Sequence, residues 1–179
     1  MVLILLTGMP GSGKEEFLRV AKEFDYDVVR MGDVVREIAK QENILMDDIS
    51  IGSFAHDQRE NYHFGIWAER TLNRIGDSET VIDGVRSYEE VEIFKSELQE
   101  KMVIVAVHAS PETRYGRLKK RDREDKPEDW GQFVERDHRE LDWGVGKIIA
   151  LADKMLVNEG TVSQFHNKAE RFFTELNGK

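Results

Sequence analysis

The octapeptide Gly8-Met9-Pro10-Gly11-Ser12-Gly13-Lys14-Glu15 constrains this chain more than any other stretch. The apolar run Val2-Leu3-Ile4-Leu5-Leu6 precedes it, and Glu16-Phe17-Leu18-Arg19-Val20-Ala21 follows. A buried strand, a glycine-rich turn and a helix starting at the lysine form the setting of a phosphate-binding P-loop. Glycines let the loop adopt positive φ and bring backbone N–H groups around an anion, and the helix N-terminus adds the positive end of its dipole. Lys14 then reaches the β- and γ-phosphates. The Gly8-x4-Gly13-Lys14 spacing fits the motif, but Glu15 stands where Ser or Thr normally ligates the metal.

The remaining pattern alternates strand and helix. Strands are expected near residues 26–31, 80–83, 102–107 and 153–157. Helices are expected near 14–24, 32–40 with Asp33 as N-cap, 53–75, after Ser87, 111–120, 129–141, and from the Thr161 cap onward. Residues 41–51 read as loop and the charged run 121–128 as a mobile connection. Met102-Val103-Ile104-Val105-Ala106-Val107 is apolar throughout, as in a strand buried on both faces of a parallel sheet. The fold class that follows is α/β: a three-layer α/β/α P-loop fold with a parallel five-stranded sheet, expected to form one domain over residues 1–179. In such sheets the ligand crevice lies at the carboxyl ends of the strands.

Composition narrows the function classes. Charged residues make up 34% of the 179 and cysteine is absent, which leans toward a thermophile's cytosolic protein. No disulfide framework is available and no metal-ligand spacing is evident, so a metal should arrive with the nucleotide. A net charge of −9 argues against general nucleic-acid binding. The apolar N-terminal run is too short for a membrane span and lacks a signal-peptide leader. A cytoplasmic location is expected.

Asp83 ends an apolar strand, where a carboxylate can hold Mg²⁺ or cap the next turn. No Asn-Lys-x-Asp guanine signature is present, which favours ATP as the nucleotide. The segments Gly32-Asp33-x-x-Arg36, Asp83-Gly84-Val85-Arg86, Arg117-x-x-x-Arg121, Arg136 and Ala152 to Thr161 together resemble nucleoside monophosphate kinases and dephospho-coenzyme A kinases. Closer still is the resemblance to an archaeal family of adenylate-kinase-related P-loop proteins, which implies a P-loop kinase-like fold with a small acceptor-covering helical insert at about 32–75 and a short lid at about 113–142. It implies that Asp33, Arg36 and Arg86 bind the acceptor, that Lys14, Arg117, Arg121 and Arg136 act on the transferring phosphoryl group, and that Asp83 and Glu15 hold Mg²⁺. The turn after the last strand would meet the adenine.

Arginine suits these places because phosphoryl transfer depends on alignment and charge neutralisation, which a planar, permanently charged fork supplies. Each arginine taken singly also reads as a solvated surface residue. Met31 and Glu90 depart from the nucleoside monophosphate kinase pattern, which leaves the acceptor open: a nucleotide or nucleotide-like small molecule. The aromatic stretch Phe54 to Trp67 reads as packing or as an acceptor pocket, with Arg59 as a further candidate contact. A nucleotide-binding regulator or slow ATPase acting on a protein or RNA partner is the alternative function.

Overall fold

The computed structural model describes residues 1–120 and 126–178. Five parallel strands, β1 (Val2–Thr7), β2 (Asp27–Arg30), β3 (Thr80–Asp83), β4 (Lys101–His108) and β5 (Lys154–Val157), stand in the order β2-β3-β1-β4-β5. The expected five-stranded parallel sheet is therefore present. Leu6 lies opposite Asp83 and His108 opposite Val157, so the carboxyl ends of the inner strands reach one edge together.

Parallel pairing requires crossovers, and helices supply them on both faces. Along β1, successive side chains alternate. Ile4 and Leu6 face a core with Phe17, Phe172 and Phe173, while Leu5 faces one with Met31, Trp67, Phe94 and Ile148. The first core is capped by α1 (Lys14–Glu23) and α9 (Val162–Asn177). Phe17 seats its ring 5.5 Å from Phe172 and 5.0 Å from Phe173. The second core is covered by α2 (Met31–Gln41), α3 (Asp48–Asn61), α4 (Ile66–Leu72), α5 (Tyr88–Leu98) and α8 (Val145–Ala150). The helices α6 (Pro111–Lys120) and α7 (Trp130–Asp142) complete the elements among the described residues.

Several local expectations change. The helix expected over 53–75 is two helices. α3 begins at Asp48, because the Asp47 carboxylate accepts from Ser50 N–H at 2.9 Å and caps it. It ends where Tyr62 leaves helical dihedrals and the His63 ring accepts the Gly65 N–H. At α2, Met31 belongs to the helix and not to β2. Asp33 is not its N-cap; Arg30 holds that position without a side-chain cap, and Asp33 lies inside the helix, paired with Arg36. α8 was not expected from the sequence, its single turn and a half being too short for periodicity to register. Phe54 and Trp67 are buried against each other at 5.9 Å, so that part of the aromatic stretch is packing.

Candidate functional site

The loop after β1 closes tightly over the sheet edge. A Cβ on Gly8 would lie 2.3 Å from the Val107 carbonyl oxygen, and one on Gly13 would lie 2.2 Å from Asn158 Nδ2. Both residues also have positive φ, +142° and +106°, so the loop tolerates glycine alone at each. α1 starts at Lys14, whose Nζ donates to the Gly8 carbonyl at 2.5 Å. That bond folds the lysine back over the loop, where an anion's oxygens would otherwise draw it.

The loop is braced from behind. Asn158 Nδ2 donates to the Ser12 carbonyl at 2.9 Å, and Arg117 donates to the Ser12 and Asn158 carbonyls at 3.3 and 3.0 Å. Arg114, almost wholly buried, forms a fork on Asp137 at 2.7 and 2.5 Å and donates to the Pro10 carbonyl at 3.2 Å. It thereby ties α6 and α7 to the loop. Sequence reasoning missed Arg114. Arg117, expected to act on the phosphoryl group, bonds loop backbone here. Arg121 lies outside the described residues.

A cavity of about 170 Å³ opens in front of the loop, lined by Lys14, Glu15, Arg30, Asp83, Arg86 and Glu140 among others. Asp83 Oδ1 is buried and has no hydrogen-bond partner, an orphaned acceptor beside the loop. Burial raises the Asp83 carboxyl above its usual range; Lys14 works against that and the Glu15 charge adds to it. An unpaired carboxylate oxygen crowded by a second carboxylate is a donor set that a hard divalent cation relieves, so the residues fit Mg²⁺. Glu15 itself pairs with Arg30 at 2.8 Å.

A second cavity of about 360 Å³ joins the first, sharing Gly32, Arg36, Arg86, Arg136 and Glu140 with it. Its lining adds the apolar Ile51, Ala55 and Trp143 and the charged Asp47, Asp48 and Arg139. Asp33 lines neither cavity and is exposed. Arg86 Nε donates to the buried Glu140 carboxylate at 2.7 Å, and the Trp143 ring lies 5.3 Å from its guanidinium. Asp48 pairs with Arg136 at 3.3 Å and Arg139 at 2.8 Å, linking α3 to α7. Arg136, Arg139, Glu140 and Trp143 follow at intervals of three and four and so share one face of α7. That spacing was readable in the sequence and could have brought out Glu140 and Trp143 beside Arg136.

Arg59 and Glu90 move out of the site. Arg59 is buried, bonds Glu90 at 3.0 Å and lines neither cavity. Glu90 is fully buried and accepts from the Arg86 and Ser87 amides at 2.7 and 3.2 Å, so it carries the turn that presents Arg86. Among the described residues no helix is long and apolar enough to cross a membrane.

Comparison with known proteins agrees with this geometry. A family model described as an AAA domain matches residues 7–132. The UPF0200 protein Ta0179 of Thermoplasma acidophilum is 45% identical, covering 97% of this chain and 96% of that one. The UPF0200 protein of Hyperthermus butylicus is 41% identical, covering 99% and 96%. Among solved structures, a shikimate kinase from Acinetobacter baumannii in complex with shikimate is similar at a TM-score of 0.60 and 13% identity, covering 98% and 93%. A gluconokinase from Sinorhizobium meliloti 1021 is similar at 0.56 and 14%, covering 97% and 91%. These two likenesses show the fold. The chain belongs to the UPF0200 family of archaeal proteins and carries a P-loop domain of kinase-like fold.

Proposed function

We propose that the protein is a Mg²⁺-dependent phosphotransferase that moves the γ-phosphate of ATP to a nucleotide or nucleotide-like small molecule. One observation carries this reading: the loop cavity and a second cavity lie side by side with Arg36, Arg86, Arg136 and Glu140 common to both linings. A hydrolase or a switch needs only the first. Two compartments meeting at arginines suit a donor and an acceptor held in line, with guanidinium groups over the group in transit. The names of the two solved kinases given above support a small-molecule acceptor as well.

In this reading the backbone amides of Gly11, Gly13 and Lys14 cradle the phosphates, and Lys14 exchanges the Gly8 carbonyl for a phosphate oxygen. Asp83 and Glu15 hold Mg²⁺, which when bound neutralises charge on the β- and γ-phosphates. Arg36 and Arg86 orient the acceptor, while Arg136 reaches the transferring group.

Calorimetry with Mg²⁺-ATP, followed by a product assay on nucleoside monophosphates, nucleosides and dephospho-coenzyme A, tests this. ATP is expected to bind, Lys14→Ala to weaken it about a hundredfold or more by removing the charged phosphate contact, and at least one acceptor to be phosphorylated. Unchanged ATP affinity in Lys14→Ala sinks the assignment. Binding of ATP with no product from any acceptor leaves the nucleotide-dependent regulator in its place.

A further inference from the structure

We propose that Glu140 takes the proton from an alcohol of the acceptor, so that the group phosphorylated is a hydroxyl and not a phosphate. This deepens the phosphotransferase reading and rests on it. Glu140 is the one carboxylate common to both cavities among the described residues. The other acids sit to either side, Glu15 and Asp83 in the loop cavity and Asp47 and Asp48 in the second. The attacking atom must cross from the second cavity to the γ-phosphate in the first, and Glu140 stands at that crossing.

Its two oxygens have different tasks. Oε2 accepts from Arg86 Nε at 2.7 Å, which fixes the carboxylate's orientation. Oε1, the second oxygen of the carboxylate, is the one assigned to the acceptor. Burial works to raise the Glu140 carboxyl, but Arg86, Arg136 and Lys14 outweigh it and hold the group below its ordinary range, so it is ionised at neutral pH. Asp33, the other carboxylate suggested for the acceptor, lines neither cavity.

An ionised carboxylate at this position discriminates between nucleophiles. A monophosphate brings an oxygen that is already deprotonated and would meet a like charge there, with Arg86 already neutralised by the same carboxylate. An alcohol instead donates its O–H to Oε1, which orients it and removes its proton. In the transfer, the alcohol oxygen forms a bond to the γ-phosphorus and the bond from phosphorus to the β,γ-bridging oxygen breaks. The bonding pair leaves on ADP, and the alcohol proton passes to Glu140 and then to solvent. The acceptor class is a hydroxylated small molecule whose body packs on Ile51 and Trp143.

Adenosine 5′-tetraphosphate is a direct probe, since its fourth phosphate enters the position an acceptor phosphate would take. Calorimetry on the full chain should find it binding about tenfold more weakly than ATP, and Glu140→Gln should close that gap, read as the ratio of the two affinities in each protein. A Glu140 whose only part is to position Arg86 gives the opposite sign, because losing the pair then weakens the anion site and widens the gap. Tetraphosphate binding by the wild type as tight as ATP, a wider gap in Glu140→Gln, or conversion of AMP, CMP, GMP or UMP to its diphosphate each overturns the proposal. Those results leave the phosphotransferase reading standing, whereas wild-type protein that fails to bind ATP sinks both. The wild-type comparison decides even if the variant folds poorly.

Discussion

Replacing Glu90 by alanine should destabilise the protein severely without touching a ligand. Its carboxylate is fully buried and accepts three hydrogen bonds: from Arg59 Nη2 at 3.0 Å, from the Arg86 amide at 2.7 Å and from the Ser87 amide at 3.2 Å. It also completes a capping box with Ser87 at the start of α5. Truncation leaves the Arg59 guanidinium, 2% exposed, without its counter-charge, and strands two amides. Breaking a buried ion pair from one side costs about 3–5 kcal/mol, a large share of the roughly 5–15 kcal/mol that holds a domain folded. At about 2–4 °C per kcal/mol for a chain of this size, Tm should fall by roughly 10 °C. Urea denaturation followed by circular dichroism measures it, with the midpoint falling at unchanged slope. Replacing both partners, as Arg59→Met with Glu90→Leu, should recover the share owed to the uncompensated Arg59 charge but not that of the two stranded amides. A loss below about 1 kcal/mol in Glu90→Ala would refute the reasoning. So would a Glu90→Gln variant of full stability whose acceptor KM alone had moved, because that would return Glu90 to the ligand.

Two further outcomes follow from the loop cavity. Asp83 has its carboxyl raised chiefly by burial, so its contribution to stability is present below the ordinary carboxylate range and is lost as pH rises through the raised value. Asp83→Asn should therefore raise Tm of the ligand-free protein at pH 7, with the gain shrinking toward pH 4, and abolish the Mg²⁺-dependent part of ATP binding; a lower Tm at pH 7 would contradict this. Glu15→Ser should weaken the Mg²⁺ dependence of ATP binding in calorimetry, whereas tighter ATP binding with or without Mg²⁺ would show that Glu15 opposes the nucleotide.

The sheet was legible because its information is local and repeated. A six-residue apolar run at Met102 to Val107, or the run before Gly8, has few alternatives to a strand buried on both faces. The loop was legible because glycine spacing and a lysine form a pattern that packing does not alter. By contrast, the break between α3 and α4 depends on Tyr62 and a His63 side-chain bond, which helical periodicity does not encode. Arginines were the hardest to place. Arg59, Arg86, Arg114 and Arg136 look alike in sequence, and only the acid that each meets in space separates them: Glu90, Glu140, Asp137 and Asp48 respectively. The first and third pairs hold the frame together. The second and fourth face the cavities.

That division bears on how the site could open and close. α7 is fastened to the rest of the molecule from three directions, by Arg114 and Asp137 toward the loop, by Glu140 and Arg86 toward the turn after β3, and by Asp48 toward α3. The Arg114 fork is almost fully buried, so swinging α7 away as a rigid flap would expose a charge pair that packing now shields. The Asp48 pairs are more exposed and cost less to exchange. The Asp48 pairs with Arg136 and Arg139 can therefore be exchanged more cheaply than the Arg114 fork, while α7 stays seated on Arg114. In this arrangement α7 carries Glu140 in register with the loop, with Trp143 at its C-terminal cap, and the more exposed charge pairs lie where α3 begins. On the reading proposed above, selectivity rests on α7, which is why the Glu140 variant should change the relative binding of ATP and the tetraphosphate.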